Sequence, residues 1–514
     1  MPSSTTSRPA LVLAVACLAA FTINLDTTIV NVALPSISRE LHAGTRDLQW
    51  IVDGYNLSFA TLVLIAGSLG DRFGRRPALL LGLAGFAAAS TAAALVTGPE
   101  GLIALRFAMG ACAAVIFPTT LSVITNAYPV RHERARAIGL WGAVTGLGVA
   151  VGPVCGGLLL SHFGWKSVFL ALVPVSLIAL LAAWRWVPES SNPAEARLDL
   201  PGLACSASAV GLLVYTIIEA PSHGWASPQT VVGFAASAAL MAGFLLVERR
   251  RERPMIDIRL FRTPAFSAAS ASVTVAFFAL FGFIFLVTQY FQLVRDYGAL
   301  STGVRILPVA LTIAVGSVAG VALATRLGTR AVVVTGLLLL AAAYGWIALS
   351  PTFTAYPRIV GQMVLMGLGL GMTTAPATES ILSVLPAAKA GLGSAVNDAT
   401  RETGGTLGVA VLGSIFTSLY ATHLTSSAFS ALPLGQPASA RESVAAALGI
   451  ARTTHRSDLL TAVQGAFMHG FHTACVVAAV LCVAGALAAT ALPNHPLRTQ
   501  GNPTGTPQPA TAAR

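Results

Sequence analysis

The chain has 514 residues, of which 55% are hydrophobic and only 10% charged, with a mean hydropathy of +0.75. A soluble protein carries about 25% charged residues, so a water-soluble globule is excluded and an all-α polytopic membrane protein is predicted. The net charge of +11 does not point to nucleic acid, because the arginines sit in short loops between apolar runs and form no basic face with interleaved aromatics.

Roughly 20 apolar residues cross a hydrocarbon core of about 30 Å. By that measure fourteen runs are candidate spans, near 11–34, 48–70, 77–97, 101–124, 136–160, 165–187, 200–219, 229–247, 265–294, 302–325, 331–350, 357–381, 391–420 and 466–492. The first run begins like a signal-peptide core after Arg8. It resumes past Asp26 to Leu34, which predicts an uncleaved first span. An even number of spans puts both termini on one side. With the termini inside, inner loops and tails hold about 20 Arg and Lys against about 9 outside, which predicts cytoplasmic termini. Glu248 to Arg262 is the largest inner cluster, Ser190 lies in an inner loop, and the longest outer loop runs from about Ala421 to Gln464. The Pro-, Thr- and Gly-rich tail, 493–514, is predicted to be disordered. Six cysteines, none in a CxxC pair, read as packing residues and not as disulfides or metal ligands. His469 and His472 have no acid or thiol beside them, so no metal or other cofactor is predicted.

Span 1 contains LDTTIVNVALP, Leu25 to Pro35. An acid at that depth is protonated, paired or facing a water-filled cavity; Asp26 is a transport group or a structural acid locked between helices. Span 2 opens with Trp50, suited to the outer interface, and carries Asp53 one turn in, where it is either functional or simply solvated. The turn GSLGDRFGRR follows, with Gly67, Asp71, Arg72, Gly74, Arg75 and Arg76. Its bland reading is a positive-inside loop that only fixes topology. Arg106 in span 4 stays charged in essentially any environment, so it requires an acid or a cavity, and Asp26 has similar depth. In span 5, Gly148, Gly152 and Gly156 form a smooth stripe for close packing, Pro153 removes a helical hydrogen bond, and Gly157 follows. Glu219 and Glu379 are expected at interfaces. Gly367 to Met372 forms a packing face in span 12. In span 13, Asp398, Arg401 and Glu402 share one helix face. There Arg401 neutralises one acid and leaves one to titrate, or the three form a self-contained ion cluster.

A faint repeat runs through the chain. Arg326 to Arg330 echo Arg72 to Arg76, and LGVAV occurs at Leu147 to Val151 and again at Leu407 to Val411. Both echoes are displaced by eight spans, which predicts two six-span bundles with two spans between them. Paired repeats of this kind rock against each other around a midplane site.

The order Gly67, Leu69, Asp71, Arg72, Gly74, Arg75, Arg76, Leu79 closely resembles the loop between spans 2 and 3 of the major facilitator superfamily. The span-1 string and the span-5 Gly-Pro-x-x-Gly-Gly resemble those of its fourteen-span drug/proton antiporters, although Met109 stands where the family often has Gln. The resemblance covers Leu11 to about Leu492. It implies the major facilitator fold, with residues 1–190 as one six-helix bundle, 191–262 as two added helices and a cytoplasmic linker, and 263–492 as the second bundle. It implies a bacterial plasma-membrane antiporter, not an enzyme, exporting small amphipathic or cationic compounds against protons and working as a monomer in the bilayer. An exporter or symporter of one endogenous metabolite is the alternative. The implied proton and substrate residues are Asp26, Asp53, Arg106, Asp398, Arg401 and Glu402. The loop after span 2 is the implied cytoplasmic gate and the span-5 glycines the implied antiporter motif.

Overall fold

The computed structural model describes residues 9–190, 199–251, 258–384, 390–424 and 436–493. The tail beyond Pro493 lies outside them, as does the side chain of Asp71. Among the described residues every regular element is helical: α1 Pro9–Glu40, α2 Thr45–Phe73, α3 Arg75–Ala93, α4 Pro99–Ala127, α5 Arg131–Phe163, α6 Lys166–Trp186, α7 Leu200–His223, α8 Pro228–Arg250, α9 Pro264–Gln289, α10 Ala299–Leu327, α11 Thr329–Ala348, α12 Tyr356–Ser383 and α13 Ala390–His423. Two short helices follow, α14 Gln436–Glu442 and α15 Val444–Thr453, and then the last span, α16 Ser457–Ala489. All but α14 and α15 are long and apolar enough to cross a membrane, which makes 14 spans. The last span starts earlier than its apolar pattern predicts. Its first turns carry Ser457, Asp458, Thr461 and Gln464, invisible to hydropathy, and Asp458 suits a helix N-terminus.

The packing repeats at an offset of eight spans. In the first half α1 packs on α5, α2 on α4, and α3 on both α4 and α6; in the second half α9 packs on α13, α10 on α12, and α11 on both α12 and α16. The two bundles meet through α2 with α13, α5 with α10, and α1 with α9. The added pair, α7 and α8, lies outside, with α7 against α2 and α13. The arginine-rich echo has a backbone counterpart. Gly74 alone joins α2 to α3 and Gly328 alone joins α10 to α11, at φ +116° and +86°, values that side chains rarely adopt.

Contacts between the bundles gather at the end away from the termini, here the far face. Gln49 of α2 donates to the carbonyls of Val409 and Ala410 and to Ser414 Oγ at 3.1–3.3 Å. Gln292, in a π turn closing α9, donates to Val32 O at 2.8 Å. Gly303 of α10 lies directly against the backbone of Pro153. The α14–α15 pair ties both halves: Ser443 Oγ is 3.3 Å from Ser38 Oγ, and Arg452 bridges to Asp296 at 2.8 Å. Toward the termini face the same α5 has room. A side chain added at Gly139, Gly142 or Gly146 meets nothing within 4 Å.

Small residues set the helix spacing. A Cβ at Gly148 or Gly156 would lie 2.9 Å from α1 atoms, and one at Gly152 would overlap Thr28. Gly157 faces the other bundle, where a Cβ would come within 2.6 Å of Leu300 Cα. In α12, Gly369 abuts α11 while Gly367 and Gly371 abut α10.

Candidate functional site

The polar string of α1 is mostly satisfied within its own helix. Thr22, Asn24, Thr27 and Asn31 each donate to the carbonyl four residues back. Asp26 is the exception. Its carboxylate accepts from Arg106 Nη1 of α4, at 2.9 Å to Oδ1 and 2.7 Å to Oδ2, while Arg106 Nε donates to Ile51 O at 2.9 Å. Asp26 is 0% and Arg106 1% exposed. The guanidinium carbon stands 4.3 Å from the ring centre of Tyr55, whose hydroxyl donates to Ile23 O. Gly110 of α4, packed on the Tyr55 carbonyl, lets α2 and α4 come this close. A buried pair of this kind gains little over an apolar replacement, but breaking it by removing one partner costs about 3–5 kcal/mol.

Glu402 of α13 is half-buried in the other bundle, and its Oε2 has no hydrogen-bond partner among the described residues. One turn toward the termini face, Arg401 Nη1 is 3.9 Å from Asp398 Oδ1, and its guanidinium sits 4.5 Å from the Phe277 ring centre. Arg401 is thus only loosely paired with Asp398. The sequence-derived residues fall into two groups, the Asp26–Arg106 pair inside the first bundle and Asp398, Arg401 and Glu402 on α13 of the second.

Two expectations need correcting. Asp53 is not solvated: it is 0% exposed and neither carboxylate oxygen has a partner. The seam between α2, α7 and α13 covers the level where a simple depth count placed water, because the added helix α7 packs there. Glu219 keeps its expected place at the end of a span, but it is not solvated there either. It is 6% exposed and accepts from Arg46 Nε at 2.6 Å, fastening α7 to α2. Trp50, expected at the outer interface, lies between the rings of Phe107 and Tyr215.

In the turn after α2, Arg76 donates to Trp184 O, Arg75 N donates to Ser190 O at 2.9 Å, and Arg72 lies 5.4 Å from the Phe73 ring centre. The gating expectation for Asp71 rests on a side chain outside the described residues. Sequence reading passed over Tyr55, Gln49 and Asn56. A signal was present for two of them. Gln49, Asp53 and Asn56 fall at i, i+4 and i+7, one polar stripe on an apolar span.

Two repeated helical bundles, the first holding a buried ion pair and the two in contact mainly at one face, are the architecture of a secondary carrier. The family model of the Major Facilitator Superfamily matches residues 16–409, and the chain belongs to that superfamily. It is 38% identical over 395 residues to the multidrug resistance protein Stp of Mycobacterium tuberculosis (strain CDC 1551 / Oshkosh), covering 77% of this chain and 73% of that one. It is 34% identical to the multidrug efflux pump LfrA of Mycolicibacterium smegmatis over 485 residues, 94% and 96% of the two chains. It is 35% identical to the tetracenomycin C resistance and export protein of Streptomyces glaucescens, covering 77% and 73%. A bacterial homolog of the human lysosomal transporter Spinster superposes with a TM-score of 0.65 at 17% identity, covering 93% and 96%, and shares the fold.

Proposed function

We propose that this chain is a proton-coupled exporter of small amphipathic or cationic compounds, working as a monomer by alternating access in a bacterial plasma membrane. The observation that carries the reading is the Asp26–Arg106 pair, a carboxylate and a permanent cation buried together inside the first bundle. The printed names of Stp, LfrA and the tetracenomycin exporter support drug export as the direction of transport. Burial and a neighbouring cation act on a carboxyl in opposite senses. Opening the cavity to either side changes both terms, so the proton affinity of Asp26 differs between the two states. That difference is what coupling requires. A proton bound from outside is released inside, and a cationic cargo competes for the same charge. Asp398 and Glu402 are the reserve carriers, with Arg401 holding Asp398; Asp53 stands outside the cargo contacts.

In this reading residues 1–190 and 263–492 are the rocking units and 191–262 an accessory pair with its linker. Both termini are cytoplasmic, in line with the arginine bias. The loop Gly67 to Arg76 is the cytoplasmic gate and Gly148 to Gly157 the antiporter hinge. The test is drug susceptibility in a host lacking its own pumps, comparing wild type with Asp26→Asn at matched membrane level. Resistance with wild type and none with Asp26→Asn is expected. Equal resistance from both would remove Asp26 from the mechanism.

A further inference from the structure

Three buried polar side chains and the half-buried Glu402 lie along the α2–α13 seam with buried atoms that have no hydrogen-bond partner among the described residues: Gln49 Oε1, both Asp53 oxygens, Asn56 Nδ2 and Glu402 Oε2. The first three residues are 0%, 0% and 1% exposed. Buried polar groups are nearly all satisfied in folded proteins, and each orphan costs about 1–3 kcal/mol. Five orphaned atoms on four residues in one line are therefore a feature to explain. Gln49, Asp53 and Asn56 share one face of α2 and span about 10 Å of helix. The antiparallel α13 meets Gln49 at Val409, Ala410 and Ser414. At a rise of about 1.5 Å per residue, Glu402 comes level with the Asn56 end of that stripe.

Both ends of the line lead somewhere. Beside Gln49, Arg46 and Asp47 line a far-face cleft of about 960 Å³, along with Trp225, Ser418 and Glu442. At the lower end Tyr55, the neighbour of Asn56 in the chain, carries Arg106 and its partner Asp26 on its ring. The flank is sealed by α7, whose Val214, Ile217 and Ile218 pack with Leu57 and Ala410, and the Arg46–Glu219 bridge closes the top. The charged groups around the line are thus Arg46 and Asp47 of α2, Glu219 of α7, Asp398 and Arg401 of α13, Arg106 of α4 and Asp26 of α1.

We infer that the α2–α13 seam is a hydrated proton path, Gln49 to Asp53 to Asn56 to Glu402, feeding the central site from the far-face cleft while the far face is shut to cargo. The seam is closed to a cargo molecule by the Gln49 contacts, yet its orphaned atoms are the partners that bridging waters need. Asp53 receives a proton on one oxygen and passes one from the other, with no covalent change beyond the O–H bonds exchanged. The accessory helix α7 thereby gains a task, keeping lipid off the Asp53 carboxyl.

This path rests on the proton-coupled reading, and the test separates the two. Wild type, Asn56→Leu, Asp53→Asn and Asp53→Glu are reconstituted as full chains into proteoliposomes with a fluorescent cationic dye as cargo. Dye counterflow without a pH gradient and dye accumulation driven by one are both measured. Asn56→Leu and Asp53→Asn should keep counterflow within about twofold while losing about tenfold or more of driven accumulation, the scale of a lost proton-transfer group. Asp53→Glu should recover part of it. Equal loss of both activities would make the seam purely structural, and full driven accumulation in both variants would place the path elsewhere; either overturns the inference. Counterflow without driven accumulation in the wild type would instead sink the proton-coupled reading, and the path with it.

Discussion

Replacing Gly303 by alanine should loosen the far face. A Cβ there would overlap Pro153 O and lie 2.6 Å from Pro153 C and 3.1 Å from Val154 N. All three are backbone atoms of α5, which is packed in turn on α1, so no side-chain rotation relieves the clash. The bundles must part by about 1 Å at this seam to restore ordinary contact. Overpacking of this kind costs about 1–3 kcal/mol, and because the clash exists only while the far face is shut, the cost falls on that state. A shift of about 5- to 150-fold toward far-open conformers follows. Spin labels at Ser161 and Gly298, on opposite bundles, would report it as longer distances; a side chain at Gly298 meets nothing within 4 Å. Gly142→Ala, which also enters open space, is the control and should leave the distribution alone. An unchanged distribution in Gly303→Ala would mean that the α5–α10 contact does not hold the far face closed.

The remaining expectations are more local. Arg106→Gln leaves the Asp26 carboxyl buried without its cation and should cost about 3–5 kcal/mol in thermal or denaturant stability, with the double variant Asp26→Asn/Arg106→Gln less damaged than the two single losses added. Gly74→Ala and Gly328→Ala force a side chain into left-handed backbone and should each cost about 1–2 kcal/mol, seen as a lower melting midpoint in detergent; an unchanged midpoint would show that the joints relax freely. Cysteine at Ser190 should resist an impermeant thiol reagent applied from outside while cysteine at His455 reacts, and the opposite pattern would invert the proposed orientation. Arg452→Gln removes the bridge to Asp296 and should raise proteolysis within 436–456 while total membrane protein stays constant.

Much of the fold was legible because the bilayer imposes one rule, an apolar run of fixed length, that the sequence obeys from α1 to α13. Repetition was legible too, since Gly74 and Gly328 occupy the same one-residue joint. The Asp26–Arg106 pair was anticipated from depth alone, as a permanent cation in hydrocarbon needs an acid. Hydropathy could not see the polar first turns of α16, because they project beyond the apolar run. Nor could it bury Asp53 or Glu219. Asp53 is covered by α7 and α13 and Glu219 is paired by Arg46 of α2, all far away in sequence, and a depth count along one helix carries no information about what packs beside it. Tyr55 was missed for a related reason: an aromatic in a span reads as core until a guanidinium is found on its face.

The central claim is that the Asp26 carboxyl carries the proton exchanged for cargo. Fluorescent-substrate efflux from energised vesicles, recorded together with proton flux at matched protein level, tests it most directly. Wild type should move protons opposite to cargo, Asp26→Asn should reach the membrane but lose proton-driven efflux, and Asp26→Glu should retain part of it. Undiminished proton-dependent efflux by Asp26→Asn would contradict the claim and move the coupling site to Asp398 and Glu402.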